Sequence, residues 1–462
     1  MPLLEYKHEE LDQLAEQVIR AQTSLTGVQP KLSLNLDKHD GCSRLTIVGL
    51  WGDYIFKPQA ESYERLPENE DLTMHLAEAA KISTGLFSGC PLEEVYIGRN
   101  ISYQNYSKDE TFDEYPSKYG YSAFYNQPKL TKVTISSSVT AIPKYLFYNC
   151  TALSDVAIQE RLVSIPEYSF TNCNLSALTL PNSVKSIGRY AFADNLSLKS
   201  AVLGDNVQII GNYAFSGCSN LTDLDLGNSL VTIGDYAFQS IGSNVNTGLN
   251  VVCPNTLSSI GEYAFKGSSI SSINIPDSVT KIGECCFIGN TKLKEVTIGN
   301  GCRELPEAVF YGCSALTSVV LNDGLEKISN RAFANCKSLE SISIPGTVVQ
   351  IGDATTSDDY MPFYGCSALK NVRFEDGKNG LVLGSHYYEY YTYDKNNHIS
   401  WVISSGGVFS GCPLEELYIG RNISYQNNPK YDTFEKEPKY YGYSAFYNKT
   451  KLTKVTISPA VT

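Results

Sequence analysis

Thirteen cysteines stand against only five histidines in this protein, and their placement decides which chemistry is open to it. His8, His39 and His75 precede Phe87, and His386 and His398 flank one late segment, so Phe87 to Phe363 contains no imidazole. A zinc site in that stretch would need cysteine and carboxylate ligands alone, and a Ser-His or Cys-His nucleophile pair cannot form there. Hydrolytic chemistry is disfavoured accordingly. Eight of the cysteines (Cys90, Cys150, Cys173, Cys218, Cys313, Cys336, Cys366 and Cys412) each follow a phenylalanine by three positions. Asn195, Asn290, Ser268 and Gln127 fill the same place elsewhere, so the position suits a residue that turns inward and can bond to backbone. Disulfides or a metal are the functional alternatives. Stacked cysteines could bring their Cα atoms close enough, but their Cβ vectors would run parallel rather than converge. Buried free thiols are the expectation, because free cysteine behaves as a small buried hydrophobe. Cys285, Cys286 and Cys302 fall outside this register.

A second constellation lies near the start. SLTGVQPKLSLNL (Ser24–Leu36), SRLTIVGL (Ser43–Leu50) and GDYIFKP (Gly52–Pro58) read as three strands, with tight turns at His39–Gly41 and Trp51–Gly52. Glu9–Ala21 reads as an amphipathic helix with Leu11, Leu14, Val18 and Ile19 on one face. PENEDLTMHLAEAAKI (Pro67–Ile82) reads as a second helix, with Pro67 near its start and acidic residues in its first turn. Taken alone, Lys57 at a strand end is a solvated surface residue. A loop, a strand ending in lysine and a helix carrying glutamate are also the parts that grip phosphate in phosphoryl transfer.

Most of the sequence obeys one period. Phenylalanine recurs at positions 87, 124, 147, 170, 192, 215, 238, 265, 287, 310, 333, 363, 409 and 446, the basic step between neighbours being 22 or 23. Five positions earlier stands Ile or Leu, usually followed by Gly or Pro, and a Tyr often stands two before, as in Ile187–Phe192 and Ile233–Phe238. After the phenylalanine comes L-x-x-V-x-I, as in Leu130–Ile135, Leu293–Ile298 and Leu339–Ile344. That hexad alternates as a short strand does, its first, fourth and sixth residues pointing inward. One unit cannot bury its apolar side alone, whereas stacked neighbours can. The fold class predicted is therefore an α/β solenoid of about 14 coils with a parallel strand ladder about 65 Å long. The Ile-Gly-x-Tyr-Ala-Phe limb is expected to be a short helical turn beneath the strands, and the tyrosines at 145, 168, 190, 213, 236 and 263 are structural members of it.

These residues resemble the BspA-like leucine-rich repeats, whose consensus reads approximately I-G-x-x-A-F-x-x-C-x-x-L-x-x-(V/I)-x-(I/L)-P. The resemblance runs from about Gly85 to Thr462. It implies a leucine-rich-repeat solenoid of a kind common on host-associated bacteria and some protozoa and associated with adhesion to host proteins or other cells.

The segment Met1–Thr84 resembles a different family, the HipA-type toxin kinases, in S-L-T-G-V-Q-P-K-L-S, Y-I-F-K-P and E-N-E-D-L-T-M-H-L-A-E. That resemblance implies an α+β kinase N-lobe segment over residues 1–84 in which Lys57 contacts ATP phosphates. Glu70 then pairs with Lys57, and Ser24 or Thr26 is the loop residue that becomes phosphorylated. The second lobe, with its catalytic aspartate and metal-binding residues, has no counterpart after Thr84, where repeat sequence begins at once. Half a phosphoryl-transfer site should be inert, since positioning and metal electrostatics carry that reaction. The segment is expected to be a truncated remnant joined near Ile82–Gly85.

Binding is the remaining chemistry. Lys plus Arg (37) against Asp plus Glu (49) leaves a net charge of −12, so nothing in bulk electrostatics draws the protein to nucleic acid or anionic lipid. No stretch approaches the length of a membrane span, and MPLLEYKHEE lacks the features of a secretion signal. The kinase-like head implies the cytosol and the repeat family implies the cell surface. Of 32 tyrosines, 19 fall in three insertions, Tyr96–Tyr125, Tyr387–Tyr393 and Tyr418–Tyr447. Tyrosine-rich loops on a rigid scaffold suit protein or glycan recognition. Tyr96, Tyr387, Tyr388, Tyr390, Tyr391, Tyr393 and Tyr418 are the binding candidates; folding back onto the solenoid flank is the alternative. Gly85–Ser136 and Gly407–Ser458 are nearly identical at a constant offset of 322, and the second copy stops before its next coil.

The reading is a non-enzymatic protein- or glycan-binding scaffold with no cofactor and no metal, and nothing in the sequence sets an oligomeric state. The rival is a kinase-related toxin fragment that binds ATP and uses the repeats as a targeting arm.

Overall fold

The computed structural model describes residues 92–101, 123–353, 360–384, 407–425, 445–446 and 449–462. Strand backbone is described in addition at Ser33–His39, Cys42–Val48, His75–Leu76, Ala80–Ile82, Ile101–Tyr103, Ser385–Tyr393 and Ile399–Gly407. The molecule divides into two compact units, Met1–Val163 and Ser164–Thr462.

In the second unit each coil contributes two strands to two parallel ladders. The hexad ladder runs through Ala177–Thr179, Ser200–Val202 and Asp223–Asp225, then Leu249–Val252, Ile270–Ile275, Glu295–Ile298 and Ser318–Leu321, and then Ser341–Ile344, Asn371–Phe374, Glu416–Ile419 and Lys454–Ile457. The second ladder is centred on the Ile or Leu that precedes Gly or Pro, from Ser164–Ile165 to Lys281–Ile282 and again from Glu304–Leu305 to Ile423–Tyr425. Register is one coil to the next without slip in Ser200↔Asp223, Ala201↔Leu224 and Val202↔Asp225. The alternation of the hexad explains this. Leu198, Ala201 and Leu203 are buried while Lys199 is exposed, and slipping one residue would turn every apolar side chain to water.

Between the ladders lies the phenylalanine column. From Phe170 to Phe446 each ring stacks on the next, with centroids 5.1–5.9 Å apart. Burying one such ring contributes about 1.5–3 kcal/mol, and the stacked geometry adds to it.

The limb that returns to the phenylalanine is not helical, which corrects the expected helical turn and moves the described part of the protein from α/β to an all-strand-and-turn solenoid. The residue two before the phenylalanine is left-handed in coil after coil: φ is 54–59° at Tyr168, Tyr190, Tyr213, Tyr236, Tyr263, Cys285, Ala308 and Arg331. A left-handed residue cannot continue a right-handed helix. Instead, alternate N–H groups close tight turns (Ala191 to Gly188 O, Ala193 to Tyr190 O) while those between them reach the next coil (Tyr190 to Asn212 O, Phe192 to Ala214 O, Asp194 to Ser216 O). The backbone is thus satisfied as in a sheet, although the limb is a series of turns.

The first unit follows the same plan over its described coils. Glu94–Ile97, Lys132–Ile135 and Asp155–Ile158 pair in parallel, and Phe124 stacks on Phe147 at 5.3 Å. Two short strands precede them: His75–Leu76 pairs with Tyr96–Ile97 and Ala80–Ile82 with Ile101–Tyr103, both parallel. The predicted helix over Pro67–Ile82 is therefore corrected where it is described. The strand Glu94–Ile97 would otherwise present an open edge, and His75–Leu76 covers it by pairing. Ser33–His39 and Cys42–Val48 form an antiparallel hairpin with His39 opposite Cys42, in line with the tight turn expected there. Nothing in these elements supports a kinase N-lobe, and the helix expected over Glu9–Ala21 and the strand expected over Gly52–Pro58 lie outside the described residues.

The duplicated blocks fold alike. Asn100 Nδ2 donates to Thr140 Oγ1 at 2.9 Å and Asn100 Oδ1 accepts from Thr140 N at 2.8 Å; Asn422 does the same with Thr462 at 3.1 and 2.8 Å.

Candidate functional site

The cysteines are interior donors. Cys150 Sγ donates to Phe124 O at 3.0 Å, Cys313 to Phe287 O at 3.2 Å, Cys366 to Phe333 O at 3.1 Å and Cys412 to Phe363 O at 3.2 Å. Where the residue is not cysteine, Asn290 Nδ2 donates to Phe265 O at 2.7 Å and Ser268 Oγ to Phe238 O at 2.6 Å. The expected inward-turning, backbone-bonding residue is what the structure shows. Burial pushes the thiols of Cys150, Cys218, Cys253 and Cys313 up to about 12 and that of Cys302 up to about 11. Thiolate chemistry is therefore suppressed at these positions.

The off-register cysteines take other repeat positions. Cys286 stands where Ala264 and Ala237 stand, Cys302 where Val279 and Leu325 stand, and Cys253 where Leu226 and Ile275 stand, all buried. Cys285 takes the tyrosine position at the end of a column in which Tyr168, Tyr190, Tyr213, Tyr236 and Tyr263 stack at 4.6–4.8 Å. Hydrogen bonding to Cys285 is the main reason the Tyr263 phenol is pushed up to about 12.

The tyrosine candidates divide three ways. Tyr96 and Tyr418 are not in insertion loops: each is the third residue of a hexad strand, at an outward position of the ladder. Tyr387, Tyr388, Tyr390, Tyr391 and Tyr393 are also not in a loop. Ser385–Tyr393 is a strand that pairs antiparallel with Ile399–Gly407, Tyr391 opposite Trp401 and Tyr390 opposite Val402. Aromatic and β-branched residues favour an extended, paired backbone, which accounts for the difference. Lys57, Glu70, Ser24 and Thr26 lie outside the described residues.

One outward cluster escapes the repeat pattern. Arg373 and Tyr418 are register partners on adjacent hexad strands, and the Arg373 guanidinium stacks over the Tyr418 ring 3.8 Å from its centroid. The Tyr418 hydroxyl donates to Asp376 Oδ1 at 2.9 Å, and Ser343 Oγ donates to Glu375 Oε1 at 2.7 Å. Beneath the turn that carries Glu375 and Asp376, Arg421 is 1% exposed. Its Nη2 donates to Pro345 O at 2.9 Å and its Nη1 to Gly346 O. Burial lowers the Arg421 pKa, opposed by the charge of Glu375. Aligning the hexads by their fifth position is the signal that finds Arg373 beside Tyr418.

Among the described residues no group of three or more His, Cys, Asp or Glu side chains could hold a metal ion, and no helix is long and apolar enough to cross a membrane.

Parallel ladders, one phenylalanine in each coil and a continuous stack of those rings define a leucine-rich-repeat solenoid. The model of the BspA type leucine-rich repeat region matches residues 117–246 and 243–361, in six copies, and the protein belongs to this family. Solved structures similar to it include a leucine-rich repeat protein from Bacteroides ovatus, 21% identical, covering 94% of this chain and 100% of that one with a TM-score of 0.46. A leucine-rich cell surface protein from Faecalibacterium prausnitzii is 21% identical over 78% of this chain and 97% of that one, with a TM-score of 0.29. The pneumococcal vaccine antigen PcpA is 16% identical over 76% of this chain and 100% of that one, with a TM-score of 0.25. No curated protein matches the sequence.

Proposed function

We propose that this protein is a non-enzymatic recognition scaffold that binds protein or glycan ligands through the outward face of its hexad ladder, in the manner of an adhesion protein. One contrast carries the reading. Inward hexad positions repeat the same few apolar residues, whereas the outward positions change from coil to coil: Ser200 and Val202, Asp223 and Asp225, Glu295 and Thr297, Ser341 and Ser343, Asn371 and Arg373, Glu416 and Tyr418. Packing constrains the first set. The second set is held rigid by it yet free to vary, which is the property of a recognition surface on a repeat scaffold.

The test is binding of the full-length protein to a panel of purified extracellular-matrix proteins and to a glycan array. Saturable binding to a member of either set, lost when outward residues are replaced and kept when the Ser385–Tyr393 hairpin is removed, supports the ladder as the surface. Binding that depends on the hairpin alone moves the site to its tyrosines. ATP binding with phosphorylation of Ser24, and no ligand in either panel, favours the kinase-related reading.

A further inference from the structure

Arg373 differs from the other cations at outward hexad positions. Among the described residues those are Lys132, paired with Glu94 at 3.8 Å, and Lys454, paired with Glu416 at 3.1 Å. Arg373 has acidic neighbours in its own turn, but each is engaged elsewhere: Asp376 accepts from the Tyr418 hydroxyl and Glu375 from the Ser343 hydroxyl. The guanidinium is exposed and lies over the Tyr418 ring. Stacking fixes the plane of an arginine and leaves its fork of N–H donors pointing along the edges, the arrangement that accepts a carboxylate bidentately.

We propose that Arg373, held on Tyr418, is the acceptor for a single carboxylate presented by a protein ligand. This deepens the scaffold reading and rests on it. Two observations set the class of ligand. The Tyr418 ring is covered by Arg373 on one face, and its hydroxyl is held by Asp376, so neither is free to receive a sugar ring. Glu375 and Asp376 stand in the turn that follows Arg373, so a second negative charge on the ligand would be repelled. An isolated Asp or Glu side chain, or a terminal carboxylate, flanked by small polar residues such as those that meet Ser341, Ser343 and Asn371, fits this surface. An acidic tract does not.

The test uses the full-length protein labelled with 15N-arginine. The Nε–Hε signal of Arg373 is assigned by its loss in Arg373→Lys, and the protein is titrated with three probes: a capped Gly-Ser-Asp-Ser-Gly peptide, the same peptide with Asn for Asp, and sialyllactose. The expected result is a saturable shift with the Asp peptide alone. Affinity for that peptide, measured by calorimetry in the unaltered protein and both variants, should weaken at least about tenfold in Arg373→Gln and less in Arg373→Lys, as for loss of a charge-assisted hydrogen-bond pair. The melting temperature of both variants should be unchanged, because the side chain is exposed. No shift with the Asp peptide, an equal shift with the Asn peptide, or a shift with sialyllactose in its place overturns the proposal. The scaffold reading fails separately. If Arg373→Gln binds the panel ligand as the unaltered protein does, the carboxylate site is wrong and the scaffold stands; if the unaltered protein binds no panel member, it is the scaffold that falls.

Discussion

The Cys336 thiol donates to the carbonyl of Phe310 one coil away, at 3.2 Å. That carbonyl already accepts from Cys313 N at 3.1 Å, so the thiol satisfies its second lone pair in a fully buried site. Coil after coil repeats this arrangement, which ties the phenylalanine column to its neighbours by directed bonds as well as by burial. The position therefore selects for a donor small enough to fit, and Cys, Ser and Asn all qualify.

A substitution separates the two roles of that thiol. Cys336→Val keeps the volume and adds apolar surface but deletes the donor, and it should destabilise by about 1 kcal/mol. Cys336→Ser keeps a donor, as Ser268 does, and should cost less. Urea denaturation of the two variants checks the order. If valine is neutral, the thiol acts only as filler.

Stability should fall in alkali. Burial raises the thiols of Cys150, Cys218, Cys253 and Cys313 to about 12, while in the unfolded state a thiol titrates near its ordinary value of about 8.5. Below that value both states hold the proton and pH has no effect. Above it the unfolded state releases protons that the folded state retains, so the folded state loses up to about 1.4 kcal/mol per pH unit for each such thiol. Unfolding free energy measured from pH 7 to pH 11 should be flat to about pH 8 and then drop steeply. Removing one buried thiol by Cys336→Ser should make the drop shallower.

The tyrosine column carries backbone strain as well as stacking. Tyr213 lies at φ 59° and stacks on Tyr190 and Tyr236 at 4.6 Å each. Both Tyr213→Ala and Tyr213→Gly lose the ring contacts, but only glycine also relieves the left-handed backbone. Tyr213→Gly should be the more stable of the two by about 1 kcal/mol, the reverse of the usual order within a regular element. Thermal melts of the pair decide it.

How far the sequence reaches depends on whether a residue type reveals its backbone. Phe192 and Phe215 at fixed spacing, with Leu198, Ala201 and Leu203 in alternation, announce a stacked parallel ladder because side-chain burial dictates register. Tyr190 and Tyr213 do not announce a positive φ: a non-glycine residue in that region looks like any other, so the pattern alone suggests a helical limb. Composition groups Tyr96 and Tyr418 with insertions because tyrosine is dense around them, whereas the hexad phase assigns both to strands. Arg373 and Asp376 come from a different coil than Tyr418, and only register across adjacent coils brings the three together.

Arg421 supports that cluster from below, and its removal should show how. The side chain donates to two carbonyls, of Pro345 and Gly346, in a site where its charge is poorly solvated. Arg421→Ala leaves both carbonyls without this donor and opens a cavity, for a loss of about 3 kcal/mol. Arg421→Met keeps most of the volume and removes the buried charge, so it should cost roughly half as much. Because the guanidinium lies close against Gly377, next to Asp376, the methionine variant should also broaden the Arg373 Nε–Hε signal while leaving the stacked phenylalanines intact. Equal stability of the Ala and Met variants would mean that the lost hydrogen bonds, and not packing, set the cost.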